Sequence, residues 1–239
     1  MTKVVIVSRT RMGSGVCIGA LTRDTFANVR LLPGEGAHSH SDAAPYRIGD
    51  VWDLDLEQPA AVRPPHVEDM IVQRGRRLGV QMGLDFWLRE HVEPWEGDAS
   101  ILFDGVLQQT ASGTAYVGHP ALPASSVGFW LPDRPLPLDE TRPRYRTTLD
   151  GAPISVAYVG CEPAASEIPA WTLVRVSLAR WYSPGGDAFE GCWLQLSGWY
   201  ERSMESASAP ASASSARVPG VLRDQPRLPG LGDSPSARP

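Results

Sequence analysis

The side chains here whose types and spacing could do chemistry are guanidiniums, and that chemistry is phosphate binding. Arg9 and Arg11 alternate in Ser8-Arg9-Thr10-Arg11, Arg30 sits in Val29-Arg30-Leu31, and Arg142, Arg144 and Arg146 alternate with Pro143 and Tyr145. On an extended strand that last spacing puts three guanidiniums on one face. Arginine beside tyrosine offers charge to phosphates and a ring to a base. Arg74, Arg76 and Arg77 form a further basic cluster. Each group has a plainer reading as well. Arg9 and Arg11 suit a solvated turn before Gly13 and Gly15, Arg74 to Arg77 suit the carboxyl end of a helix, and the row from Arg142 suits a solvated strand face.

No nucleophile, base and orienter stand in a recognisable order, and there is no P-loop, GxSxG or HExxH pattern. His38 and His40 precede Asp42 on a loop of small residues, but two imidazoles at i and i+2 lack a third fixed ligand. Asp50, Asp53 and Asp55, at i, i+3 and i+5, are the one acidic set able to hold magnesium for a hydrolase; otherwise they solubilise a strand. The sequence therefore predicts no catalytic residue, no metal and no cofactor. Cys17, Cys161 and Cys192 are an odd count without a CxxC pair, each in an apolar context, which predicts buried free thiols in a reducing compartment.

At 239 residues with 42% hydrophobic content, the chain can bury a sizeable core. Its formal net charge of −5 excludes a polyanion binder held by overall charge alone. Residues 1–82 carry ten Lys+Arg against nine Asp+Glu, and residues 83–202 carry eight against fifteen, so any nucleic-acid face must be a local patch. The amino terminus is too short in apolar residues for a signal-peptide core, and no stretch approaches a membrane span. That predicts a soluble, cytoplasmic protein.

Positioning such groups falls to strands. Val4-Val5-Ile6-Val7 reads as a buried central strand, interrupted by a small basic loop; Val16 to Leu21 and Phe26 to Leu32 complete a three-stranded meander. Alternation from Tyr46 to Leu56 gives a fourth strand. Pro64-Pro65-His66-Val67-Glu68-Asp69 reads as a helix start, prolines first and acids in the first turn. Residues 83–92 give a short helix with Leu84, Trp87, Leu88 and Val92 on one side. Residues 120–143, rich in proline, read as a connection between units. Ala152 to Val159 is a strand, and Trp171 to Tyr182 with Gly191 to Tyr200 form a final hairpin. From Ser203 the composition collapses to Ser, Ala, Pro and Gly, which predicts a disordered tail.

Two parts of the sequence together resemble the bacterial dual OB domain-containing family. One is Val4-Val5-Ile6-Val7-Ser8-Arg9-Thr10-Arg11 with Gly15-Val16-Cys17-Ile18-Gly19-Ala20 and Val29-Arg30-Leu31-Leu32-Pro33. The other is Val176-Ser177-Leu178 with Cys192-Trp193-Leu194-Gln195-Leu196. The resemblance implies a mainly β (α+β) fold: two OB-like small barrels with a short helical insertion. The expected division is a first unit over 1–118, a second over 119–202 and the tail over 203–239. It also implies nucleic-acid or nucleotide binding, without catalysis, in a bacterial defence or conflict system. The residues expected to bind are Arg9, Arg11, Arg30, Arg142, Arg144, Tyr145 and Arg146, and the expected partners are single-stranded nucleic acid or a nucleotide, with a larger effector protein beside it. The alternative is an adaptor that docks such an effector through exposed aromatics.

Overall fold

Val4, Val5, Ile6 and Val7 are all buried, because the strand that carries them is covered on both faces. In the computed structural model, which describes residues 1–139, 141–183 and 190–202, that strand is β1 (Thr2–Met12). It pairs with β2 (Gly15–Thr22) on one side and with β4 (Asp50–Glu57) on the other. The ring continues through β3 (Asn28–Leu32) and β5 (Asp69–Val80), which run parallel, and closes as β1-β2-β3-β5-β4. Val4, Ile6, Ile18, Ala20, Leu31 and Leu54 fill the interior. The alternate residues Val5 and Val7 point outward, where they meet Leu88, Phe129, Leu173 and Tyr200. That second, external core explains why β1 reads as an unbroken apolar run rather than as an alternation.

The chain then forms one helix, α1 (Leu84–His91), with Trp87 and Leu88 buried as the spacing predicts. A larger sheet follows. Its strands are β6 (Trp95–Gly97), β7 (Gln108–Gln109), β8 (Ala115–Val117), β9 (Val127–Pro132), β10 (Leu136–Asp139), β11 (Arg144–Leu149), β12 (Ala152–Tyr158), β13 (Glu167–Ile168), β14 (Leu173–Leu178) and β15 (Cys192–Tyr200). The main order is β13-β10-β11-β12-β15-β14-β9-β6, with β8 against β15 and β7 against β8. Its own core gathers Phe103, Trp130, Tyr145, Ile154, Val176 and Leu196. A closed five-stranded barrel with a second β sheet is the mostly β architecture the resemblance implies. The hairpin of β14 and β15 is as expected. Residues 203–239, where a disordered tail is expected, and residues 184–189 of the hairpin loop lie outside the described residues.

Three local expectations are corrected. The first strand does not stop at Val7: pairing with β2 runs on to Met12 opposite Gly15, past a bulge between Ile6 and Ser8, and the turn falls at Gly13 with φ 58°. Buried Ser8 and Thr10 alternate with Arg9 and Arg11, so the strand goes on with polar residues inside.

Residues 64–72 do not start a helix. The acids that suggested one, Glu68 and Asp69, are buried counterions of Arg30, and the chain continues as β5. Arg74, Arg76 and Arg77 pair across to Asp55, Asp53 and Asp50 of β4, at 3.0, 3.5 and 2.7 Å. This ladder matches the strand register and takes up each carboxylate of the candidate magnesium set.

Residues 120–143 are not a bare connection. They supply β9, which lies between β14 and β6, and β10. Strands β6 to β8, before residue 118, also pair within the second sheet. Among the described residues no helix is long and apolar enough to cross a membrane.

Candidate functional site

A cleft of about 480 Å³ opens between β1 and β2 of the barrel and β14 and β15 of the second sheet. Arg11, Arg30, Arg175 and Arg180 line it together with Ser8, Cys17, Ser177, Gln195 and Ser197, and Trp181 and Tyr182 stand at one end. Among the described residues no carboxylate lines it. In a chain of net charge −5, this is a local concentration of positive charge of the kind that focuses anions.

The floor is an ion network fixed by strand register. β3 lies parallel to β5 with Arg30 opposite Asp69, and the Arg30 amide donates to the Glu68 carbonyl at 2.8 Å. The Arg30 guanidinium, 6% exposed, reaches Glu68 at 3.0 Å, Asp69 at 3.3 Å and Ser126 Oγ at 2.8 Å. The Ser126 hydroxyl in turn donates to Glu68. Arg180 Nη1 holds the other oxygen of Asp69 at 2.6 Å. Two guanidiniums and two carboxylates cancel, which is what lets them remain buried.

His66 completes the network. Its Nδ1 lies 3.3 Å from Arg30 Nη1 and accepts from it, leaving Nε2–H to face Cys192 Sγ at 3.7 Å. Burial first, then the nearby Arg30 and Arg180, push its pKa down to about 2, so the ring is neutral. Burial raises the Cys192 thiol to about 12.

Arg175 is different. It lies on β14 opposite Phe129, beside a bulge between Arg175 and Val176. It is 3% exposed, yet no carboxylate lies within ion-pair distance among the described residues. Its Nη2 reaches Asn28 Oδ1 only at 3.4 Å, its Nε has no partner, and its charge lies 5.9 Å over the Phe129 ring. Desolvation lowers its pKa, though an arginine remains charged. Nε and Nη2 of Arg180 are likewise buried without partners.

The residues expected to bind are not brought together. Arg11 is exposed and lines the cleft, its Nη2 3.3 Å from the Cys161 carbonyl; Arg30 lies in the floor. Arg9 points to the other side of β1, where it donates to the carbonyls of Ala44 and Tyr46 and pairs with Asp42, tying down the loop before β4. His40, in that loop, donates from Nε2–H to the Leu31 carbonyl at 2.9 Å, and Asp42 is engaged by Arg9. Arg142, Arg144 and Arg146 belong to β11 and its approach, away from the cleft lining. Arg144 is engaged with Ser155 at 2.7 and 2.8 Å, Arg146 is 3.8 Å from Asp139, and Arg142 is exposed. Tyr145 is fully buried and donates to the Ala165 carbonyl, so its ring has no free face for a base.

Sequence reasoning missed Arg175 and Arg180. The signal for the first was present: one arginine inside the apolar run Leu173-Val174-Arg175-Val176, where a solvated face would alternate. Trp181 is occupied, its indole donating to the Pro64 carbonyl, with Arg63 over its ring and His119 stacked 5.0 Å away. Tyr182, 59% exposed, is the ring with a face to offer.

No curated protein and no solved structure matches this sequence. A family model described as the Dual OB-containing domain matches residues 2–199, spanning both the barrel and the second sheet. The family's fold suggests nucleic-acid binding. The chain belongs to the dual OB-containing domain family.

Proposed function

We propose that this protein binds single-stranded nucleic acid, or a nucleotide, in the cleft between the barrel and the second sheet, without chemistry of its own. One observation carries the reading: four arginines and, among the described residues, no carboxylate line one cleft of an acidic chain. Three buried guanidinium nitrogens there lack partners, and an anion would satisfy them. Tyr182 gives a base a stacking surface at the rim. The proposed setting is the cytoplasm, as the accessory part of a bacterial defence assembly; the defence role rests on the family resemblance alone.

The test is fluorescence anisotropy of labelled single-stranded DNA and RNA. A few phosphate contacts and one stacking ring predict affinity on the order of micromolar, with a log–log salt slope of roughly two to four. Arg11→Ala and Tyr182→Ala should each weaken binding, while Arg142→Ala with Arg146→Ala should change it little. Loss of binding only in the second pair would move the interface to β11.

The adaptor alternative rests on Phe86 of α1 and Trp171, each 52% exposed. Arg89 of α1 donates to the Trp171 carbonyl at 3.4 Å, which brings the two segments side by side. Salt-insensitive association with a protein, lost in Phe86→Ser with Trp171→Ser, would favour it.

A further inference from the structure

We infer that Arg175 anchors a subsite for a terminal phosphate monoester, so that the cleft takes the phosphorylated end of a strand, or a mononucleotide, rather than the middle of a chain. The inference rests on the cleft reading above and adds the chemical class of the group bound.

The floor network is electrically complete without Arg175. Arg30 and Arg180 match Glu68 and Asp69, which leaves Arg175 as a surplus positive charge, 3% exposed. Burying an unpaired cation is unfavourable, and the usual remedies are missing: the Asn28 contact is long, and Phe129 offers only its ring. The surroundings are nonetheless arranged around the guanidinium. Gly19 of β2 has no side chain where Arg175 lies, and Ser8 Oγ crowds the same point. Ser177 and Ser197, 2.8 Å apart, add hydroxyls beside it. A group that reached this floor would meet an unpaired guanidinium, hydroxyl donors and, among the described residues, no carboxylate.

Geometry then selects the end of a chain. A backbone phosphodiester carries a sugar on each side, and to place it at a floor residue 3% exposed would require both nucleosides to enter. The cleft, about 480 Å³, has the size of a small-ligand pocket rather than of a long groove. A terminal monoester enters first, has three free oxygens for a guanidinium fork and hydroxyls, and carries close to two negative charges at neutral pH. Tyr182 at the rim is then available to the base that follows.

The experiment compares three labelled strands of one sequence, with a 5′-phosphate, a 3′-phosphate or hydroxyls at both ends, in competition with nucleoside monophosphates. The wild-type chain, Arg175→Gln and Arg175→Lys are used, with circular dichroism and melting as checks on folding. One phosphorylated end should bind about tenfold or more tighter than the hydroxyl strand. The matching monophosphate should compete, Arg175→Gln should abolish the difference, and Arg175→Lys should keep part of it. Equal affinity of all three strands for the wild type would overturn this inference and leave the cleft reading standing. No binding by any strand or monophosphate would overturn both. Preference for a phosphorylated end that persists in a folded Arg175→Gln would place the subsite elsewhere and overturn the role of Arg175.

Discussion

A methyl group on Gly19 would stand 2.8 Å from Nη2 of Arg175 and 2.9 Å from its Cζ. The barrel strand thus leaves out a side chain where a guanidinium of the second sheet lies. Gly19→Ala should force the guanidinium aside at a cost of about 1–3 kcal/mol, as overpacking does. Ligand affinity should fall with it. The cycle Gly19→Ala, Arg175→Ala and both together should show coupling, the double variant being more stable than the sum by about 1 kcal/mol, since removing the arginine relieves its share of the clash while Ser8 Oγ, nearer still, keeps the rest. Additive costs in urea unfolding would mean the two do not compete for that space.

Ion pairs of this chain should divide sharply by burial. Glu68→Gln leaves Arg30 without its nearer counterion in a buried site, a loss of about 3–5 kcal/mol. Asp55→Asn breaks a pair whose two side chains are 42% and 76% exposed, and should change stability by less than about 1 kcal/mol. Chemical denaturation of the two variants in parallel is the measurement. Similar midpoints would contradict the buried network.

Acid should loosen the fold through His66. Its folded pKa is about 2, against about 6.5 when unfolded, so the unfolded chain takes up a proton that the folded ring refuses. This contribution is fully present above pH 6.5 and is lost as pH falls from there towards 2. The slope is up to about 1.4 kcal/mol per pH unit. His66→Gln should lower stability at pH 7 but flatten its change between pH 7 and pH 5. An unchanged slope would assign the acid sensitivity to other groups, among them His40, which burial also lowers.

The fold was legible where pattern is local. Val4 to Val7, the alternation through Trp52 and Leu54, α1 and the last hairpin each follow from the period of their own residues. What misled was chemistry that only pairing reveals. Glu68 and Asp69 look like the acids of a first helical turn until Arg30, some forty residues earlier, lies in register beside them. The candidate site was half legible for the same reason. Arg11 and Arg30 stand in the amino-terminal motif that carries the family resemblance, and both reach the cleft. Arg144 and Tyr145 have the same composition, but Ser155 and the Ala165 carbonyl, far along the chain, already hold them. No spacing distinguishes an arginine that is occupied from one that waits for a ligand.

The three thiols, alike in sequence context, should separate in reactivity. Cys192 is buried, its pKa is raised to about 12, and His66 Nε2–H covers it, so alkylation of the native protein at mildly alkaline pH should reach it last. Cys17 and Cys161 are half-buried, and they open into different places. Cys17 lines the arginine cleft, whereas Cys161 lies in a groove with Arg9, Tyr158 and Trp199. Iodoacetamide followed by peptide mass spectrometry should therefore modify both of these well before Cys192. A ligand in the cleft should slow the modification of Cys17 about tenfold or more while leaving Cys161 unchanged, because only the first thiol shares its space. Protection of Cys161 instead would move the ligand to the Arg9 side of β1. Equal rates at Cys17 and Cys192 would show that the cleft does not admit even a small molecule as far as β2.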